Sequence, residues 1–411
     1  MSRMQDFKLL LNRVAADPTQ TLNLSFAGAS SLPGTITYTR ASTATFVGSN
    51  GLIQSAISGA PRFGYDPVTL APLGLLIEET RTNVVLQSQT MANAAWAVIG
   101  AGAAKIGAAP VAAPDGTLSA YEVAMGTDGG AIGVAGAFYQ ILGAISAGQV
   151  WASSIYVMAK TGASSIRLSY FDGTATTGTV DTPISSTAWT RLVYVVTVNG
   201  TSAPNIALRN NVAGNSGNIY VWGGQCELTT PGYPGPTSYI PTTAATVTRA
   251  ADVAVMTGTN FSSWYNQAAG SFVTQATPPG DYSQLATVLG ADVAAVTNVH
   301  QLQKSDATGA AVGKRWSAGT ITTSVAQALI AQGADGAAIT AKLGYAFAAN
   351  DFAFASGGSI VGTDAAGTVP TVSQLNIGQR DGASQWFNGH IGGIAYYNVR
   401  KTNAQLQAMT T

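Results

Sequence analysis

Charge is what this 411-residue chain most lacks. Asp, Glu, Lys and Arg make up 9% of it, nineteen residues of each sign, against roughly 25% in an average soluble domain. With no basic excess there are no counterions to release from a phosphate backbone, so no nucleic-acid partner is expected. Disorder would need few apolar residues and a high net charge; 46% apolar residues and zero net charge argue against it. One cysteine, Cys226, cannot form an intramolecular disulfide, which excludes a stapled secreted scaffold. No secretory signal is visible: the apolar run Leu9-Leu10-Leu11 is broken at once by Asn12 and Arg13. The uncharged stretch 131–159 is interrupted by Gln140, Ser146 and Gln149 and then alternates, so membrane insertion is not expected.

Reactive residues are scarce as well. The two histidines, His300 and His390, belong to no H-E-x-x-H, and zinc-ligand spacing is absent. Neither has a G-x-S-x-G partner for a nucleophilic triad. Glycoside hydrolysis would need two facing carboxylates. The candidates Asp172, Asp181, Asp281, Asp292, Asp351 and Asp381 all lie in turn-like contexts, the ordinary place for Asp. The adjacent pair Glu78-Glu79 points to opposite faces of an extended segment and is expected to pair with arginines such as Arg40, Arg62 or Arg81. Residues 224–235 are glycine-rich but lack the lysine of a phosphate loop. Asp351, Asp364 and Asn388 are the oxygens a loop calcium would use, without EF-hand spacing. The expectation is no enzyme, no cofactor, no catalytic residue and no metal site.

What the chain does have is 47 glycines and period-two patterning. Trp151, Ser153, Ile155 and Val157 alternate with Ala152, Ser154, Tyr156 and Met158. Ile166, Leu168 and Tyr170 alternate with Arg167, Ser169 and Phe171. Short alternating strands with glycine turns predict an all-β chain of two consecutive β-sandwich (jelly-roll) domains. A short N-terminal helix and a short C-terminal helix complete the fold class. Phe7, Leu10, Leu11 and Val14 form one helical stripe within residues 3–16. That stripe either packs on its own domain or docks on a particle neighbour. At the other end Thr402 and Gln405 have capping-box spacing, with Leu406 and Met409 facing inward. The domain reading is 1–18 docking helix, 19–85 attachment segment, 86–243 first sandwich and 244–411 second sandwich. The proline-rich run 229–243 reads as a stiff linker or strapped loop. Thr37-Tyr38-Thr39-Arg40-Ala41 echoes Thr246-Val247-Thr248-Arg249-Ala250; the two could begin similar units or pair with each other.

In the first sandwich Trp151, Trp189, Tyr194 and Trp222 read as core. Tyr170, Phe171 and Asp172, with Arg209, Asn210 and Asn211, lie at strand ends. Rings beside amides suit a carbohydrate platform, since sugar CH groups stack on rings while amides bind hydroxyls, although packing in the core or at its rim is the ordinary fate of such rings.

Three stretches resemble a segment of tailed-bacteriophage virion proteins: Thr39-Arg40-Ala41-Ser42-Thr43-Ala44-Thr45-Phe46, Pro61-Arg62-Phe63, and Gly74-Leu75-Leu76-Ile77-Glu78-Glu79-Thr80-Arg81-Thr82-Asn83. Trp189-Thr190-Arg191, Ile219-Tyr220-Val221-Trp222-Gly223-Gly224-Gln225-Cys226-Glu227, Thr237-Ser238-Tyr239-Ile240-Pro241-Thr242 and Thr248-Arg249-Ala250-Ala251-Asp252 resemble a phage jelly roll of the carbohydrate-binding-module type. Residues 343–363, Leu375-Asn376-Ile377-Gly378 and Phe387-Asn388-Gly389-His390-Ile391 resemble the end of a concanavalin A-like or laminin-G-like sandwich. The resemblance implies a virion subunit: fibre, head fibre, spike or decoration, exposed on head or tail and made in the host cytoplasm. The partners it implies are further copies of the chain as a trimer, other virion proteins (capsid, portal or tail) and host-surface glycans. A dedicated adhesin for bacterial polysaccharide is the alternative, and a polysaccharide depolymerase stands behind it. No long heptad or collagen-like shaft is present.

Overall fold

The computed structural model describes residues 17–411 apart from 127–135, 144, 162–164, 173–174, 180, 200–203, 211–216, 230–234, 280–285, 294–297, 307–313, 323–324, 331–339 and 382–384. The docking stripe Phe7, Leu10, Leu11 and Val14, with Asn211 and Asp281, lies outside the described residues. No helix among the described residues is long and apolar enough to cross a membrane.

The chain is an all-β, two-sandwich protein, as the alternation predicts, but the sandwiches are not consecutive. One has an eight-stranded sheet in the order Ser359–Asp364, Asp351–Ser356, Ala341–Ala348, Ala269–Thr277, Gly389–Tyr397, Pro72–Ile77, Phe63–Tyr65, with Gln20–Ser25 also paired to Gly389–Tyr397. Its second sheet runs Thr37–Thr39, Val253–Thr257, Gln374–Ile377, Ala286–Asp292, Asn298–Asp306, Lys314–Thr322, Val325–Ile330. Leu24, Phe26, Leu75, Ile77, Phe272, Phe347, Leu375 and Tyr396 are among the buried residues of the shared core. Strands from residues 20–77 therefore sit inside this sandwich, so the boundary read at 85 does not separate an attachment segment from it. The physical reason is long-range antiparallel pairing, such as Asn23 with Ala395 and Leu75 with Ile391. No local pattern announces such pairing.

The other sandwich is inserted between two paired strands. Arg81–Asn83 runs antiparallel to Val247–Arg249, with Arg81 opposite Arg249. Between them the chain builds a sheet in the order Thr190–Thr197, Val150–Thr161, Asn218–Leu228, Tyr121–Met125, Ala103–Ala108. Facing it is Thr176–Gly178, Ser165–Phe171, Asn205–Arg209, Ala137–Ile141, Ala97–Ile99. Trp96, Phe138, Trp151, Ile155, Leu168, Tyr170 and Leu208 lie in the core between them. Trp96 and Phe138 stack at 4.9 Å between centroids.

The proline-rich run is a strap rather than a linker. Tyr239 and Ile240 are buried, and the Tyr239 ring lies 4.6 Å from that of Trp222. Its hydroxyl meets Ser88 Oγ at 2.6 Å. Trp222 is thus buried under the strap, on the opposite side of its sheet from the main core. The two echo segments do not pair with each other: Thr37–Thr39 pairs with Val253–Thr257. At the C-terminus the helix Asn403–Thr410 starts with the capping box Thr402/Gln405. Leu406 is fully buried and Met409 partly so.

Candidate functional site

Two places concentrate polar chemistry: the joint between the sandwiches, and the outer face of one sheet of the inserted sandwich.

The joint gathers eight buried charged residues, Arg40, Arg62, Glu78, Glu79, Arg81, Glu227, Arg249 and Asp252. Four are of each sign. Glu78 and Glu79 follow the end of Pro72–Ile77, and extended backbone sends neighbouring side chains to opposite sides. Glu78 receives Arg62 Nη1 at 2.8 Å, Ser238 N–H at 2.6 Å and Ser238 Oγ at 2.6 Å. Arg249 Nη1 stands 3.3 Å from the same carboxylate. Glu79 takes Arg81 Nε at 2.8 Å and Nη2 at 2.5 Å. The expected pairing of Glu78 and Glu79 with arginines is therefore present, while Arg40 turns to Asp252 at 3.1 Å. Asp252 also binds Arg62, accepts the Tyr38 hydroxyl at 2.5 Å and accepts Glu78 N–H at 2.9 Å. Both echo segments thus deliver an arginine, Arg40 and Arg249, towards one aspartate, with Arg249 Nη1 at 3.8 Å.

Burial opposes ionisation of Glu78, but Arg249, Arg62 and the Ser238 hydrogen bonds outweigh it and hold the carboxyl well below its usual range. Glu227 differs. Burial raises its pKa more than Arg81 and the Thr237 hydrogen bonds lower it; Thr237 N–H and Oγ1 lie at 2.8 and 2.6 Å. Asn83 closes the joint with all four hydrogen bonds of its amide. It donates to the Gly224 and Ile240 carbonyls at 3.1 and 2.8 Å. It accepts the Val85 and Cys226 N–H groups at 3.0 Å each. Glu79 N–H donates to Asn388 Oδ1 at 2.8 Å, and Trp386 Nε1 to the Asp252 carbonyl at 3.0 Å. Gly74 is required here: φ is +107°, and a Cβ would collide with the Ile391 carbonyl of the neighbouring strand. The cluster ties together elements far apart in sequence, with Arg62 Nε, Arg249 Nε and Arg249 Nη1 left buried without a hydrogen-bond partner among the described residues.

The six residues read as a carbohydrate platform divide by strand parity. Tyr170 is fully buried and points into the core with Ile166 and Leu168, so it offers no ring face to a ligand. Asp172 is buried and organises a turn, accepting Ala175 and Asn199 N–H groups at 2.8 and 3.1 Å. Asn210 is fully buried and donates to the Gly126 carbonyl at 3.2 Å. Phe171 and Arg209 have the other parity and lie on the outer face of Thr176–Gly178, Ser165–Phe171, Asn205–Arg209, Ala137–Ile141, Ala97–Ile99. Arg167 and Ser169, already on the face of Phe171 by alternation but not among the site residues, join them there, with Asn205 and Tyr139. Counting by two from Phe171 back to Arg167 would have found part of the set.

The remaining candidates do not converge. Asp181 pairs with Arg167 at 3.2 Å and Asp351 with Arg400 at 2.8 Å. Asp381 lies 3.9 Å from Arg380. Asp364 accepts the Ala366 N–H of its own turn at 2.9 Å. Asp292 is buried beneath Gln374 and Asn376, whose amides reach it at 2.9 and 2.6 Å. No group of three or more His, Cys, Asp or Glu placed to hold a metal occurs among the described residues. His300 is fully buried and stacked on Phe347 at 4.1 Å. Its Nδ1 lies 3.3 Å from the Tyr345 hydroxyl, and burial pushes its pKa down to about 3. A cavity of about 200 Å³ in the inserted sandwich is lined by Val84, Leu86, Ile141, Ile145, Trp151 and Thr246 and holds no ionisable side chain.

No family model matches the chain, and no curated protein matches it. Several solved structures are similar to part of it. The CBM40 domain of the Ruminococcus gnavus IT-sialidase, bound to alpha2,6 sialyllactose, aligns over 37% of this chain and 88% of its own, at 11% identity and a TM-score of 0.31. Domain 4 of AbnA, an extracellular arabinanase of Geobacillus stearothermophilus, in complex with arabinotriose, aligns over 43% and 82%, at 12% identity and 0.30. A Trypanosoma rangeli sialidase mutant aligns over 38% of this chain and 25% of its own, at 14% and 0.28. These likenesses are too slight to carry an inference; the sandwich class rests on the strand pairings.

Proposed function

We propose that the chain is a non-enzymatic structural subunit of a bacteriophage particle, of fibre, spike or decoration type. In this reading it assembles with copies of itself and holds an inserted jelly roll out towards host-surface glycans. The observation that carries the proposal is the joint. A chain with 9% charged residues encloses eight of them where its two sandwiches meet. Carboxylates enclosed with arginines away from solvent are poorly placed for acid–base chemistry, which needs a carboxyl able to exchange a proton with substrate. Breaking one such pair is costly, so the cluster favours one fixed arrangement of the two units. The residues of the joint also belong to the segments that resemble virion proteins: Arg40, Arg62, Glu78, Glu79, Arg81, Arg249 and Asp252. A surface poor in charge adds little like-charge repulsion against assembly.

The test is location. Particles are purified from the lysate of the producing strain and labelled with antibody against this chain for electron microscopy, with peptide mass spectrometry in parallel. Label at a fixed place on head or tail is the expected result. Purified particles without the peptide, while the lysate contains it, overturn the proposal.

A further inference from the structure

The outer face of the inserted sandwich carries a charge that nothing beside it among the described residues balances. Arg167 and Arg209 are directly opposite each other on neighbouring strands. Like charges in that register repel. One carboxylate, Asp181, answers Arg167 at 3.2 Å. Arg209 donates Nε–H to Ser169 Oγ at 3.0 Å, and no carboxylate among the described residues pairs with it. Two guanidiniums and one carboxylate leave one positive charge on this face. Arg209 is 8% exposed, so the charge is largely out of water, and that burial lowers its pKa. Such an arrangement is unfavourable for folding alone, which makes the face a candidate place for a ligand.

Three further polar atoms on this face are buried without a hydrogen-bond partner: Arg167 Nε, Asp181 Oδ1 and Asn205 Oδ1. They supply one donor and two acceptors. Next to them stand two half-buried rings. Tyr139 lies opposite Ala207, and Ala207 opposite Ser169. Phe171 lies opposite Asn205. Spacings of about 5 Å between strands and about 7 Å between same-face residues put both rings within a saccharide unit or two of the arginines. Ser169 and Ala207, both small and buried, lie beneath and between them.

We infer that this face binds an acidic saccharide, its carboxylate seated on Arg209 and Arg167 and its sugar rings against Tyr139 and Phe171. Guanidinium takes carboxylate through paired N–H donors, sugar C–H faces pack on aromatic rings, and Asn205 and Asp181 accept hydroxyl hydrogens. The inference deepens the glycan-contact part of the proposed function by naming the ligand class and the face. It does not depend on where in a particle the chain resides.

The test uses the full chain and titration calorimetry. The probes are trigalacturonic acid, its methyl ester, an α2,8-linked sialic acid trimer, a hyaluronan tetrasaccharide and inorganic phosphate. At least one of the three acidic saccharides is expected to bind tighter than about 1 mM. Arg209→Gln should weaken it about tenfold or more, the worth of a charge-assisted hydrogen bond. Asp181→Asn, which removes the competing carboxylate, should tighten it, and this variant keeps the inference testable should Arg209→Gln unfold. Phe171→Ala should weaken it by a smaller factor. The inference is overturned by no binding of any acidic saccharide at 1 mM, by equal affinity for trigalacturonic acid and its ester, by unchanged affinity in folded Arg209→Gln, or by phosphate binding alone, which would mark an adventitious ion. Loss of saccharide binding with particle labelling intact removes this site and leaves the structural proposal standing.

Discussion

The joint and the outer sheet face treat the same side chain in opposite ways. At the joint Arg62 is fully buried and meets Glu78 and Asp252, the Thr45 carbonyl and Ser238 Oγ. On the sheet face Arg209 is nearly as enclosed and meets one hydroxyl. Burying a guanidinium costs several kcal/mol unless partners repay it. The joint repays within the chain and becomes a structural element. The sheet face does not, and the shortfall is what points to a ligand. Burial of charge is thus no guide to role by itself; the count of partners separates the two regions.

Breaking each region should give different results. Asp252→Ala leaves Arg40 buried without a carboxylate and Arg62 with Glu78 alone, and is expected to cost about 3–5 kcal/mol in urea unfolding. Arg209→Gln removes an uncompensated cation and should leave stability unchanged or raise it. Equal losses at the two sites would end the contrast. Strand parity makes a second pair. Tyr170→Ala opens the core of the inserted sandwich and should cost about 3–5 kcal/mol, whereas Phe171→Ala, half-buried at the rim, should cost less than about 1.5 kcal/mol.

Acid should act on the joint and the core before the sheet face. Glu78 has a folded pKa below its unfolded value. Its contribution is present above the unfolded value of 4.5 and is lost as pH falls through the lower folded value. His300 is held neutral with a pKa of about 3 against 6.5. The unfolded chain therefore takes up its proton first, and stability falls between those two values, by about 1.4 kcal/mol per pH unit at most. Glu227 has the opposite sign to Glu78: its folded pKa is raised, so acidification relieves a strain there. Urea midpoints from pH 7 to 4 should decline, and His300→Phe should decline less steeply. A slope unchanged by that variant would remove His300 from the account. The smallest expected effect is at the C-terminal helix, away from both regions. Thr402→Ala removes the cap made with Gln405 N–H at 3.3 Å and should cost about 1 kcal/mol, seen as a modest drop in Tm.

Much of the local structure was legible in the chain itself. Alternation at Ile166, Leu168 and Tyr170 marked an inner face, and all three are buried. The spacing of Thr402 and Gln405 marked a cap that forms. The adjacent Glu78 and Glu79 diverge and take arginines, because extended backbone fixes which way neighbours point. The site was less legible. Tyr170 and Phe171 looked alike as aromatics at a strand end, and parity was needed to tell core from surface. Asn210 and Asp172 looked like ligand groups and instead satisfy backbone groups, Asn210 the distant Gly126 carbonyl and Asp172 the N–H groups of Ala175 in its own turn and of Asn199.

By itself, then, the sequence determined strand identity, face and cap, since these depend on neighbours one to four residues away and on period-two or helical geometry. Tertiary structure alone decided that residues 20–77 share sheets with residues 253–397, that one sandwich is inserted in the other, and that Arg40, Arg62 and Arg249 share Asp252. It also decided that Arg167 stands beside Arg209. All of these except the Arg249–Asp252 contact join residues some forty to several hundred positions apart, and the pairing of distant strands is chosen by the burial of whole faces, which no short stretch of chain encodes.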